Sequence, residues 1–168
     1  KINYNLGNNM QFNTNNEWGD LMNRINLITL GVKDLKASLQ FYKNIGFKTT
    51  AEVTDDNLAI VFFNNDGTKL EIFPVVELAK DINAESPPTI ATGGFIGITL
   101  AYNAKSKEEV DSILEQVETF GATVVKPAQA LEWGGYGGYF TDINGYYWEV
   151  AYGDMWEFDE QNMLIIPD

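Results

Sequence analysis

Residues 134–149 read GGYGGYFTDINGYYWE, and this stretch decides the fold. Asn144-Gly145 is a strong hairpin signal, because both residue types tolerate the positive φ angles of a tight turn. The segments on either side, 136–142 and 146–152, are rich in aromatic residues, which favours two antiparallel strands. The second strand carries one carboxylate, Glu149, among aromatic side chains. Whether this glutamate is a metal ligand, a catalytic base or a ligand contact is the functional question that the sequence raises.

An earlier hairpin, centred on Asp66-Gly67, has the same pattern. Three residues recur 78 positions later: Phe62, Gly67 and Glu71 correspond to Phe140, Gly145 and Glu149. At the front of each half the offset is 68, which aligns Leu27 with Phe95. Self-similarity of this kind predicts a duplicated structural unit.

The segments around the two hairpins predict the order βαβββ twice, and therefore an α+β fold. In the first half we predict strands at 25–32, 47–53, 58–63 and 68–75, with a helix that Asp34 caps and Gly46 ends. In the second half we predict strands at 95–102, 122–125, 136–142 and 146–152. A capping box of Ser106 and Glu109 begins the second helix, and Gly121 ends it.

The predicted domain spans residues 22–153. Module one covers 22–75, a proline-containing connector covers 76–94, and module two covers 95–153. We interpret residues 1–21 as a poorly structured N-terminal extension and residues 154–168 as a C-terminal tail.

Composition narrows the function. The chain has 24 acidic and 11 basic residues and a formal charge of -13, which argues against nucleic-acid binding and favours neutral or cationic ligands. Cysteine and histidine are both absent, so acid–base chemistry would fall to carboxylates, tyrosines or lysines, and any metal would be held by oxygen. No apolar run approaches the roughly 20 residues of a membrane helix, and no signal peptide is evident, so we expect a cytoplasmic protein without membrane partners.

Two-residue turns would set the register of both hairpins. They place Phe62 opposite Glu71, and Phe140 opposite Glu149, with both glutamates on one face. Gly138 would then share the face of Phe140, while Tyr139 turns away. Lys69 shares the face of Glu71 and is a candidate partner for it. The opposite face carries apolar side chains and is predicted to be core: Leu70, Ile72, Trp148 and Val150.

The chain resembles the vicinal oxygen chelate superfamily, which includes glyoxalase I, bleomycin-resistance proteins and extradiol dioxygenases. The resemblance covers residues 22–153 and rests on GVKDLKASLQFY at 31–42 and DINGYYWE at 142–149. WGGYGGYF at 133–140 is most similar to the small glyoxalase-like proteins. The resemblance implies two βαβββ modules whose curved mixed sheets surround a cavity, and it implies a homodimer.

In metal-dependent relatives, the first and last strands of each module each supply one ligand. The resemblance carries these positions onto Leu27, Glu71, Phe95 and Glu149. Leucine and phenylalanine cannot coordinate a metal, so we expect no cofactor, with weak Mg²⁺ or Mn²⁺ binding by the two glutamates as the alternative.

Two functions follow as hypotheses. The first is metal-free binding of a small, neutral or cationic organic molecule in an aromatic cavity. Its candidate contacts are Phe62, Glu71, Phe73, Phe95, Trp133, Tyr136, Phe140, Tyr147 and Glu149. The second is a metal-dependent glyoxalase-like isomerase or lyase, related to lactoylglutathione lyase, or a metal-free lyase, with Glu149 or Glu71 as the catalytic base. The missing histidines and the shortage of cations for the carboxylates of glutathione weigh against the second.

Overall fold

The computed structural model describes residues 23–52 and 60–166, and the predicted extension at 1–21 lies outside them. The first half contains β1 (Leu27–Val32), α1 (Leu35–Asn44), β2 (Val61–Phe62), β3 (Lys69–Pro74) and α2 (Val75–Ile82). The second half contains β4 (Thr99–Asn103), α3 (Lys107–Thr119), β5 (Thr123–Ala130), β6 (Tyr136–Thr141) and β7 (Tyr147–Tyr152). The predicted α+β class is confirmed. Within the described ranges, none of the helices has the length and apolar content that crossing a membrane requires.

Local sequence signals set the two main helices. The Asp34 carboxylate accepts a hydrogen bond from the backbone N–H of Ala37 and begins α1. Ser106 accepts from the N–H of Glu109 at the start of α3, while the Glu109 carboxylate accepts from the N–H of Lys105. Gly46 and Gly121 follow the helices with φ angles of 109° and 100°, so both predicted ends are confirmed.

Each half forms a mixed sheet. The first has the order β1-β3-β2, and the second has the order β4-β7-β6-β5. In both sheets the first strand runs parallel to the last strand of its module, and the hairpin strands are antiparallel. The predicted strand at 47–53 is wrong over its described part, because residues 47–52 run beside β2 without pairing as a strand. The backbone N–H of Asn64 donates to the carbonyl of Lys48 at 2.7 Å.

The region between the modules also differs from the prediction. The predicted strand at 95–102 begins only at Thr99, because Gly97 has a φ of 83° that interrupts the extended run. Phe95 therefore lies before the strand rather than on it. The predicted connector includes most of α2, which packs against β1. A Cβ on Gly31 would come within 2.9 Å of Val75, so glycine allows this close approach.

One core joins the two modules, and α1 lies at its centre. The Tyr42 ring is 5.5 Å from the Phe63 ring of module one and 6.3 Å from the Trp148 ring of module two. The predicted core face is confirmed, since Leu70, Ile72, Trp148 and Val150 are all buried. The Tyr42 hydroxyl donates to the Asp142 carboxylate at 2.6 Å inside this core. Burial raises the pKa of both groups.

The C-terminal segment returns to module one. Residues Phe158 and Leu164 form an isolated antiparallel bridge, and the Lys105 ammonium lies 5.7 Å from the centre of the Phe158 ring. Met163 packs against Gly67 in the β2–β3 turn so closely that a Cβ on Gly67 would collide with its sulfur. The segment therefore spans both modules.

Candidate functional site

Glu71 is buried on the face of the first sheet that lies opposite the core side chains Leu70 and Ile72. It lies between Phe62 of β2 and Thr29 of β1, and only 6% of its surface is exposed. The Thr29 hydroxyl donates a hydrogen bond to Glu71 Oε1. The second carboxylate oxygen, Oε2, is buried and has no hydrogen-bond partner among the described residues. The predicted pairing of Phe62 with Glu71 is confirmed, whereas the Lys69 ammonium donates to the carbonyl of Asn65.

Glu149 occupies the equivalent position in the second sheet, but it is more open. It lies between Ala101 of β4 and Tyr139 of β6, and its side chain is half-buried. Ala101 offers only a methyl group where module one offers the Thr29 hydroxyl. Burial raises the pKa of Tyr139, and the neighbouring Glu149 carboxylate raises it further. The Glu149 carboxylate thus interacts with the Tyr139 hydroxyl, and its partial exposure leaves it accessible from solvent.

The predicted register of the second hairpin is wrong by one residue. Tyr139 pairs with Glu149, and Phe140 pairs with Trp148. The turn has three residues between Asp142 and Tyr146 rather than two, because the Asp142 carboxylate accepts hydrogen bonds from the N–H groups of Asn144 and Tyr146. A shift of one residue moves every side chain of a strand to the other face.

This shift removes two predicted contacts from the Glu149 face. Phe140 is 3% exposed and stacks on Trp148 in the core, with the ring planes 3° apart. The Tyr136 hydroxyl donates to Asp111 of α3 at 2.8 Å, so Tyr136 also points toward the helix. Gly138 faces the same way, since a Cβ there would come within 2.7 Å of Leu114. Tyr139 was predicted to lie on the opposite face, but it pairs with Glu149 and shares its face.

The remaining candidate aromatics lie in two places. The Phe95 ring meets the Tyr147 ring edge-on at 5.3 Å, so residues before β4 cover part of the Glu149 face. Trp133 stacks on Trp156 of the C-terminal segment, with ring centres 5.4 Å apart. Trp156 was not among the predicted contacts, although a tryptophan in a predicted tail is itself a signal of packing. Phe73 lies half-buried on β3.

Two cavities flank the sheets. The larger, about 710 Å³, lies at one end of the first sheet. Its walls are Asn26, Leu27, Lys48, Thr49, Thr50, Phe62, Phe63, Asn64 and Lys69. We call it the module-one cavity, and neither Glu71 nor Glu149 lines it. The smaller, about 380 Å³, lies between α3 and β5 and is lined by Asp111, Leu114, Glu115, Glu118, Val124, Pro127 and Ala128.

The residues present do not fit a resident metal. Thr29 and Ala101 stand opposite the two glutamates, Leu27 pairs with Lys69, and the Thr29 hydroxyl occupies one oxygen of Glu71. A divalent cation held by oxygen takes about six ligands. In the described part of the chain, no three carboxylates converge on one point.

Comparison with known proteins places the chain in a family. Residues 24–150 match the sequence model of the Glyoxalase/Bleomycin resistance protein/Dioxygenase superfamily. The chain belongs to this superfamily. The resemblance that the sequence motifs predicted is thus confirmed at the level of family and fold. No curated protein sequence matches this superfamily member significantly.

Solved structures of superfamily members have the same fold. A glyoxalase-related enzyme from Fulvimarina pelagi is 27% identical, with a TM-score of 0.75 over 88% of this chain and all of the other. A lactoylglutathione lyase from Agrobacterium tumefaciens is 25% identical, with a TM-score of 0.59 over 81% and 98% of the two chains. A family member from Burkholderia phytofirmans, 16% identical with a TM-score of 0.62 over 76% and 96%, shows the fold alone.

Proposed function

We propose that this superfamily member binds a small organic molecule on the Glu149 face without a resident metal. The observation that carries the proposal is the pair of residues opposite the two glutamates. Thr29 satisfies one oxygen of Glu71 within the protein, whereas Ala101 leaves Glu149 open. Glu149 is therefore the carboxylate that a ligand can reach.

The surroundings of Glu149 suit a planar molecule that is neutral or positively charged. Tyr139 and Tyr147 flank the carboxylate on the same face, and Phe95 extends this aromatic surface. Ala101 is small and exposed, so a ring can lie flat beside it. A carboxylate accepts hydrogen bonds and attracts ammonium groups, in agreement with the charge of -13 on the chain.

A matched pair of naphthalene compounds tests this proposal. We expect protein treated with EDTA to bind both 2-naphthylmethylammonium and 2-naphthylmethanol, measured by calorimetric titration. Glu149→Gln should weaken the ammonium compound by about tenfold, because it removes a charge-assisted contact, and should leave the alcohol almost unchanged. Glu85→Gln, an exposed change outside both cavities, is the control. Binding that disappears with EDTA and returns with Mg²⁺ or Mn²⁺ would contradict the proposal.

A metal-free lyase or isomerase is the second candidate. It is favoured by the buried, unpartnered Oε2 of Glu71, which is available to accept a proton, and by the similarity to the Agrobacterium tumefaciens lactoylglutathione lyase. The test is an assay of the hemithioacetal of methylglyoxal and glutathione with wild-type protein, Glu71→Gln and Glu149→Gln. Turnover by the wild-type protein that the glutamine variants lose would support a function as an enzyme over a function as a binding protein.

A second copy of this chain is the proposed protein partner. Three apolar residues just before β4, Phe95, Ile96 and Ile98, are well exposed within one chain. Exposed apolar clusters of this kind are typical of protein interfaces. Light scattering should give the mass of a dimer, and Ile96→Glu with Ile98→Glu should give the mass of a monomer.

A further inference from the structure

We infer that the module-one cavity is a second binding site, separate from the Glu149 face, and that it takes an organic monoanion with an aromatic body. The cavity lies where the described part of module one differs from module two. Residues 47–52 run beside β2 without strand pairing, whereas β5 pairs along β6 at the corresponding place. The resulting gap, about 710 Å³, is within the usual range of small-molecule sites.

The charge of the cavity walls is opposite to that of the chain. Lys48 and Lys69 line the cavity, and no carboxylate is among the described residues that line it, although the chain has 24 acidic and 11 basic residues. The Lys48 ammonium has no hydrogen-bond or ion-pair partner in the described ranges. Lys69 donates to the carbonyl of Asn65 and keeps further N–H donors. A negatively charged group is the partner that these two ammonium groups lack.

The other walls specify the rest of the ligand. Phe62 is 57% exposed and Leu27 is 39% exposed, and both line the cavity. A flat apolar body that covers them removes this surface from water. The amides of Asn26 and Asn64 can orient the polar end of the ligand, together with the hydroxyls of the neighbouring threonines.

The site favours one negative charge over several. Two lysines face the cavity, and the single arginine of the chain, Arg24, does not line it. Glu71 lies on the same face, two residues from Lys69 and opposite Phe62, so further negative charge on the ligand would be repelled. The charge of -13 on the whole chain acts in the same direction. An aromatic monocarboxylate satisfies all of these conditions, whereas a polyphosphate does not.

The experiment compares 2-naphthoate with the uncharged 2-naphthylmethanol by calorimetric titration of the full chain at low salt. We expect Lys48→Met and Lys69→Met each to weaken 2-naphthoate by about tenfold and to leave the alcohol within about twofold. Lys36→Met, an exposed change on α1, is the matched control and should change neither compound. Phe62→Ala should weaken 2-naphthoate, because it removes the aromatic wall of this cavity.

The outcomes separate this site from the Glu149 face. Glu149→Gln should leave 2-naphthoate binding unchanged, and the two lysine variants should leave 2-naphthylmethylammonium binding unchanged. Any of three results would overturn the inference. These are no binding of 2-naphthoate, a loss of 2-naphthoate affinity in Lys36→Met as large as in the two cavity lysine variants, or a loss of 2-naphthoate binding in Glu149→Gln. All the lysines changed are exposed, and far-UV circular dichroism checks that each variant folds.

Discussion

The two modules repeat one architecture, yet they treat the same carboxylate position differently. Module two has a four-stranded sheet, whereas the described part of module one pairs three strands and leaves a cavity beside β2. Glu71 is closed in by the Thr29 hydroxyl, and Glu149 stays open beside the Ala101 methyl group. The duplicated fold therefore preserves the position of the glutamate, and the residue opposite it on the neighbouring strand determines whether its carboxylate is available to a ligand.

The largest expected contrast is between Phe140 and Phe62, which stand 78 residues apart in the repeat. Phe140→Ala should lower the free energy of unfolding by about 3 to 5 kcal/mol, because it empties a buried site against Trp148. Phe62→Ala should cost less than about 1 kcal/mol, because its ring is largely exposed. Urea unfolding of both variants measures the difference. Equal losses would mean that the second hairpin has the register of the first.

A smaller effect is expected where Thr29 meets Glu71. Thr29→Val keeps the shape of the side chain but leaves both oxygens of a buried carboxylate without a donor, at a cost of about 1 to 3 kcal/mol. The reciprocal change, Ala101→Thr, adds a hydroxyl beside the half-buried Glu149 and should change stability by less than about 0.5 kcal/mol. It should also weaken 2-naphthylmethylammonium, because the new hydroxyl competes for the carboxylate. Thermal unfolding and calorimetry check the two halves of this prediction.

The smallest effect concerns pH and the three-residue turn of module two. Burial raises the pKa of Asp142 above its unfolded value, so the folded chain holds this proton more tightly. The stabilisation from protonated Asp142 is complete below the ordinary pKa of about 4 and is lost as the pH rises through the raised value. Asparagine at position 142 cannot titrate. The free energy of unfolding of Asp142→Asn should therefore be lower than that of wild type at pH 4, and this difference should shrink as the pH rises. Urea unfolding at several pH values measures this; a difference independent of pH would contradict it.

The sequence predicted what local chemistry determines. Asp34, Ser106, Gly46 and Gly121 set the helix boundaries, and Asp66-Gly67 set a register that places Phe62 opposite Glu71. These signals act within a few residues, so they can be recognised without a structure.

The second hairpin could not be predicted in the same way. Asn144-Gly145 is compatible with loops of two or three residues, and the choice depends on the Asp142 carboxylate, which is itself held by Tyr42, 100 residues earlier. The unpaired segment 47–52 and the stacking of Trp133 on Trp156 likewise depend on contacts between distant parts of the chain. Local patterns do not reveal which of these distant residues meet.

The packing of Met163 against Gly67 has a consequence for how the chain folds during its synthesis. Module one leaves the ribosome first, but its β2–β3 turn is covered only when Met163 has emerged. The contact between Tyr42 and Trp148 likewise forms only after module two has been made. Module one therefore lacks its final contacts until module two and residue 163 have been synthesised. The two repeats should consequently acquire native structure together rather than in the order in which they are made.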